Sequence, residues 1–235
     1  MELQKNTFRI FDLITKQISG MKALLIGATG ATGSDLLELL LKDEAFDRVD
    51  VFVRRPIAIR HEKLHVHVIN FDQISEWQHL IKGDVLFSCL GTTLKAAGSK
   101  EAQWKIDYDY QYAVARAARD NGVQNMVLVS AAMASPHSRF FYSRMKGQLE
   151  LDIRKLGFSY LHIFNPPMLL RKNSDRKTEI FASKVIMALN RIGLFKAHTP
   201  LPTELLAQAL IHASKDKKSS FRQYEGKAIW KCTQG

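Results

Sequence analysis

A chain of 235 residues, 46% of them hydrophobic, suits one large domain, or a domain with a small appendage, with a substantial core, and its apolar fraction is that of an ordinary globular protein. No apolar run approaches the roughly 20 residues that a spanning helix needs, so neither a membrane span nor a secretory signal is expected. The net charge of +11, from 34 basic and 23 acidic residues, is scattered in short clusters; this fits a solvated surface and an anionic cofactor, and no nucleic-acid partner is expected. In chain order, residues 1–20 form an extension in which Phe8, Phe11, Ile14 and Ile18 share one helical face, which predicts an added helix that packs on the domain or on a second copy.

Residues 21–235 read as a single domain. Leu24–Ile26 predicts a first strand and 34–44 a first helix. Val49–Val53 and Leu64–Ile69 predict two more strands, with a helix after them at Ile74–Ile81. Asp84–Cys89 predicts a fourth strand, and Tyr108–Asn121 a long helix whose alanines permit close packing. Asn125–Ser130 predicts a fifth strand covered on both faces, 140–156 a helix, and Tyr160–Phe164 a sixth strand. This alternation predicts an α/β fold of three layers, α/β/α, around a doubly wound parallel sheet. After Pro166-Pro167 the pattern loosens. A loop over 171–178, helices at Ile180–Leu189 and Glu204–Ala213 (Thr203 as N-cap) and a last strand at Tyr224–Trp230 are expected, with 167–235 covering the substrate side.

The sequence Gly27-Ala28-Thr29-Gly30-Ala31-Thr32-Gly33 carries the chemistry of the amino-terminal half. It follows a strand and opens a helix. Gly27 would allow the sharp turn, Gly30 the approach of main chain to a pyrophosphate, and Gly33 close packing of helix on strand. The helix start, with Thr29, Ala31 and Thr32, then offers unpaired N–H groups to the anion. Arg54 and Arg55 follow the second strand, where an acidic residue would select NAD. Two guanidinium groups instead suit a 2′-phosphate and predict NADP(H). Asp72 is placed to accept from the adenine amino group, or else serves as a turn aspartate. Leu90, Gly91 and Thr92 end the fourth strand, either along the cofactor or as a turn that starts a helix. Cys89 and Cys232 have neither disulfide-framework nor metal-ligand spacing, so no metal and a reducing, cytoplasmic location are expected.

Tyr142 and Lys146 stand four apart on one predicted helical face. A phenol titrates near 10, too high for a base at neutral pH. A neighbouring ammonium and an oxidised nicotinamide would favour the phenolate, letting Tyr142 exchange a proton with a carbonyl oxygen, while Lys146 also holds the nicotinamide ribose.

Together these residues resemble the short-chain dehydrogenase/reductase superfamily in its atypical branch, most nearly the Tat-interacting-protein-like oxidoreductases. The likeness runs from about Met21 to Ala213, through the glycine loop, Arg54-Arg55, Cys89-Leu90-Gly91-Thr92-Thr93, Asp107-Tyr108-Asp109-Tyr110 and Tyr142 to Lys146-Gly147. It implies a Rossmann-type fold, NADP(H) binding and reductase activity on a small carbonyl or hydroxyl compound whose identity the sequence does not give. It also implies a catalytic serine past the fifth strand, where this chain has Ser130 followed by Ala131 and Ala132. Adjacent strand positions face opposite ways, so Ser135 or Ser138 would have to replace Ser130 if it misses the substrate. Asn165-Pro166-Pro167 stands where relatives have Arg-Pro-Gly, with Pro166 beside the nicotinamide. These two departures support a second reading, a non-catalytic NADP(H)-binding regulator that signals cofactor state to a protein partner. The extension and the helices at 108–121 and 140–156 offer surfaces for a homodimer.

Overall fold

The computed structural model describes residues 20–170 and 200–233; the expected extension helix, the loop over 171–178 and the helix at Ile180–Leu189 lie outside them. Seven strands form one parallel sheet: β1 (Met21–Ile26), β2 (Phe46–Val53), β3 (Leu64–Val68), β4 (Val85–Ser88), β5 (Asn125–Val129), β6 (Tyr160–Asn165) and the last strand at Phe221–Glu225, in the order β3-β2-β1-β4-β5-β6-last. The order reverses between β1 and β4, and in such sheets that crevice is where ligands bind.

Alternation along each strand sorts the core into two halves. Ala23 and Leu25 of β1 face one side, with Leu36, Leu37 and Leu40 of helix α1 (Ala31–Lys42). Leu24 and Ile26 face the other, with Val114, Ala115 and Ala118 of the helix at Tyr110–Asp120 and Leu149 and Ile153 of the helix at Phe141–Lys155. Burial on both faces explains why these strands read as continuous apolar runs.

The first helix starts at Ala31, three residues before the expected Ser34, because Gly30 already occupies the cap position. Between β4 and the helix at Tyr110–Asp120 lie elements that the sequence reading passed over: short helices at Leu94–Ala97 and Lys100–Trp104, and one π-helical turn at Lys105–Asp109. The tail also differs from expectation. Thr203 is the first residue of its helix (Thr203–Lys215) and not its cap, and its hydroxyl donates to Asp35 Oδ2 at 2.6 Å. The last strand ends at Glu225, and a helix over Lys227–Cys232 replaces the rest of the expected strand. The described tail is built into the fold more than laid over the cleft. Its helix packs on α1, its strand pairs with β6, and of its residues Leu169 lines the cleft.

Candidate functional site

The glycine loop has the shape that its spacing predicts. Gly27 takes φ +84°, and a Cβ there would lie 2.4 Å from the Cys89 carbonyl, so no other residue fits. A Cβ on Gly33 would lie 2.0 Å from Gly27 O, because α1 packs directly onto the turn. Gly30 is different. A Cβ there would meet Gly27 O at 3.3 Å, and the residue is exposed. As the N-cap of α1 it supplies no side-chain hydrogen bond to the first turn. The amide hydrogens of that turn are therefore presented to a ligand together with the positive end of the helix. A turn closed by Gly27 and Gly33 and left open at Gly30 fits a dinucleotide pyrophosphate.

Beside this loop lies a cleft of about 430 Å³. Thr29, Gly30, Ala31 and Thr32 form one wall, Cys89, Leu90, Gly91, Thr92, Thr93 and Ala96 another, and Val129, Ser130, Tyr142, Lys146 and Leu169 the far end. The sequence thus brought ten of its candidates to one place. Three structural stretches do the positioning: the turn after β1, the turn after β4, and the helix at Phe141–Lys155. Gly147 lets that helix sit close, since a Cβ there would be 2.2 Å from the Ser135 carbonyl carbon.

Lys146 is 2% exposed and its Nζ lies 3.5 Å from Oδ1 of Asp107, which is fully buried. Asp107 Oδ2 accepts the Thr92 N–H at 2.9 Å, and Oδ1 has no other polar partner. Burial pushes the Asp107 carboxyl up and the Lys146 ammonium down, each opposed by attraction to the other. Gln103 Nε2 donates to Thr92 O at 3.1 Å, and Gln111 Nε2 to Asp107 O at 2.6 Å while its Oε1 accepts from Ser88. Gln103, Asp107 and Gln111 are all buried, one helical turn apart, across the π-helical turn. Sequence reasoning missed this clamp. Its signal was three polar residues at four-residue spacing on a helix that should bury one face.

The expectation that Lys146 favours the Tyr142 phenolate fails in this structure. Desolvation by the surrounding protein, with Asp107 behind it, pushes the phenol up to about 12. The ammonium is turned to the carboxylate. Ser130 reaches the cleft wall, but its hydroxyl donates to Glu150 Oε1. Glu150 also takes Asn165 Nδ2 at 2.6 Å, and Asn165 in turn donates to Ala131 O and accepts from Gln223. Ser135 and Ser138, the expected substitutes, accept hydrogen bonds from nearby backbone amides in their own turns. Pro166 is buried behind the cleft, its carbonyl accepting the Ala132 N–H at 3.2 Å.

Arg54 and Arg55 leave the carboxyl end of β2 as exposed residues, outside the cleft lining, and neither has an ion-pair partner among the described residues. Asp72 stands at the surface with its carboxylate taken by Lys105 Nζ at 2.7 Å and Tyr110 Oη at 2.7 Å, so an adenine would have to compete for it.

Residues 27–184 match the family described as NAD(P)H-binding. Among curated proteins, the chain is 35% identical over 219 residues to "Protein FMP52, mitochondrial" of Eremothecium gossypii, covering 89% of this chain and 96% of that one. It is 36% identical over 173 residues to the protein of the same name from Saccharomyces cerevisiae, covering 72% and 74%. Among solved structures, MoeE5 in complex with UDP-glucuronic acid and NAD superposes with a TM-score of 0.69 at 14% identity, over 87% of this chain and 76% of that one. A UDP-galactose 4-epimerase gives 0.66 at 18%, over 87% and 76%. These two likenesses concern the fold. The names of the curated relatives overturn the expected cytoplasmic location, since cysteine usage separates reducing from oxidising compartments and says nothing about one reducing compartment against another. By this match, and by the cradle and sheet that underlie it, the chain belongs to the NAD(P)H-binding family, as an atypical short-chain dehydrogenase/reductase of Rossmann fold.

Proposed function

We propose that this protein is an NADP(H)-dependent oxidoreductase of mitochondria that interconverts a carbonyl compound and its alcohol. The observation that carries this reading is the meeting of Tyr142 and Lys146 with the Gly30–Thr32 helix start in one cleft. When bound there, the reduced nicotinamide would supply a hydride to the carbonyl carbon. Tyr142 passes its phenolic proton to the carbonyl oxygen, giving the alcohol, and regains a proton from solvent. Lys146 holds the ribose hydroxyls, at the expense of its contact with Asp107. Arg54 and Arg55, free of carboxylate partners among the described residues, support the phosphorylated cofactor.

NADPH oxidation with a panel of aldehydes and ketones tests the chemistry. Tyr142→Phe is expected to lose 10²–10⁴-fold in kcat, on the order of a general acid's contribution, while keeping its NADPH affinity. Full activity in that variant would remove Tyr142 from its role. Thermal stabilisation by NADPH but not NADH, lost in Arg54→Ala/Arg55→Ala, tests the cofactor.

The commitment of the Ser130 hydroxyl to Glu150 favours a second reading, a cofactor-binding regulator without turnover. It predicts tight NADPH binding, no carbonyl reduction, and a partner captured only when NADPH is present.

A further inference from the structure

Three large apolar side chains stand in solvent on segments that lead directly to lining residues of the cleft, Ser130, Tyr142 and Leu169. Met133, on the loop after β5, is 78% exposed. Phe140, the residue that caps the helix carrying Tyr142, is 79% exposed. Met168, on the loop after β6 and next to cleft-lining Leu169, is 44% exposed. β5 and β6 are neighbours in the sheet, and their loops are tied by the Ala132 N–H to Pro166 O bond, one residue from Met133 and two from Met168. An exposed methionine or phenylalanine alone is ordinary. Three on the segments that adjoin one cleft's lining give its approach an apolar character, and exposed apolar surface of that kind marks binding sites.

Met133 adds a second observation. Its backbone sits at φ +58°, and no other non-glycine residue among those described has positive φ. This conformation costs a non-glycine residue about 1 kcal/mol or more and is found where a site demands it. The strained residue stands three positions beyond cleft-lining Ser130, with an adaptable thioether held out of the core.

The charges of the cleft point the same way. Lys146 is the one cation among the described residues that line it, and its ammonium faces Asp107. Beyond the helix start that the cofactor's own pyrophosphate would occupy, no other described lining residue carries positive charge for a second phosphate. MoeE5, which superposes on this fold, was solved with UDP-glucuronic acid, but a charged diphosphate finds no free cationic partner among the described lining residues.

We propose that the substrate arm of this site takes an apolar carbonyl compound, a medium- or long-chain aldehyde or ketone, whose hydrocarbon lies across Met133, Phe140 and Met168 while its oxygen reaches Tyr142. The chemistry of this inference rests on the oxidoreductase reading, but the binding does not, and the two are measured separately.

The binding measurement uses full-length protein loaded with NADPH and 1-octanol, which cannot react with a reduced cofactor. At ten times its Kd, octanol is expected to raise Tm by about 3–6 °C, butane-1,4-diol by nothing, and the Met133→Ser/Phe140→Ser variant should lose the octanol shift while keeping the NADPH shift. Both positions are exposed, so the variant should fold. The catalytic measurement is NADPH oxidation by straight-chain aldehydes of four to eight carbons, with kcat/KM rising about threefold per added methylene and flattening in the variant. An octanol shift without turnover of any aldehyde sinks the oxidoreductase reading and sustains the apolar site. No octanol shift, an undiminished shift in the variant, or stabilisation by UDP-glucose in its place overturns the inference. So does a variant that turns a dimer into monomers with octanol inert, since the patch would then be a contact between copies.

Discussion

A phenol at about 12 is a proton donor throughout the physiological range, and the pH dependence expected of the proposed reaction in each direction follows from it. Reduction needs the protonated form, which is fully present below that value, so the reductive rate should show no alkaline limb from Tyr142 up to about pH 10. Oxidation needs the phenolate, so its rate should climb about tenfold per pH unit over the same range, less whatever the positive nicotinamide contributes. A pH profile of kcat in both directions checks this. Asp107 governs the same centre at one remove. Asp107→Asn keeps an acceptor for the Thr92 N–H but strips the countercharge from a buried lysine whose ammonium burial already disfavours. At pH 9 the variant should bind NADPH about tenfold more weakly, ~1.4 kcal/mol, and adding Lys146→Met should cost little more. Fluorescence titration of the four proteins at pH 6 and 9 completes the cycle; additive losses would show that the pair acts independently. Tyr142, Lys146 and the glycines were legible in the sequence because local spacing defines them. Asp107 and Glu150 were not, because their importance comes from contacts to Thr92 and Ser130 that only the folded chain creates.

At the scale of elements, the three glycines of the first turn separate into two kinds. Gly33→Ala would drive a methyl group to 2.0 Å from a carbonyl oxygen, so α1 must lift off the sheet. Overpacking of this sort costs about 1–3 kcal/mol or more, and the variant should show a lowered Tm without cofactor. Gly30→Ala meets its nearest atom at 3.3 Å and should fold with nearly unchanged Tm, yet its methyl group occupies the cradle, so NADPH stabilisation should fall sharply. Differential scanning fluorimetry with and without NADPH distinguishes the pair. The strand–turn–helix unit was readable because the apolar run, the glycines and the following leucines all say the same thing. The stretch from Leu94 to Asp109 was not, because its short helices are held by local serine and threonine caps and a π-helical turn, none of which leaves a strong periodic signal. The tail misled for another reason: Gly226 at φ +47° ends the last strand early, and a glycine inside a strand pattern gives no warning of which way the chain turns.

For the molecule as a whole, the excess of positive charge is not spread evenly with respect to the core. Asp50 of β2 is fully buried, with Lys22 of β1, Arg48 of β2 and His67 of β3 around it. Burial pushes its carboxyl up, but hydrogen bonds from Arg48 and His67 and the charge of Lys22 outweigh it and bring it down to about 2. A carboxyl lowered in the folded state stabilises above its ordinary value of 3.8, and that stabilisation, about 2 kcal/mol, disappears as pH falls towards 2. Asp50→Asn should therefore lower Tm by about 4–8 °C at pH 7, with the gap to the parent protein closing near pH 2, as thermal melts across that range would show. The doubly wound sheet was legible because chain-wide alternation of strand and helix has few topological solutions. The position of its final strand was not, since a strand of Phe-Arg-Gln-Tyr-Glu reads as a polar surface segment until β6 is found beside it.

That final strand has a consequence for how the site is held together. Gln223 reaches Asn165, and through it Glu150 and Ser130, so the back wall of the cleft is held from the outermost strand of the sheet. A polypeptide interrupted before Phe221 would carry the whole pyrophosphate turn and both members of the Tyr142–Lys146 pair, yet present β6 as a raw edge, with the Phe164–Tyr224 stack missing. Such a product is expected to keep its coenzyme grip and to lose the support of Ser130, which makes the outermost strand part of the site rather than an ornament of the fold.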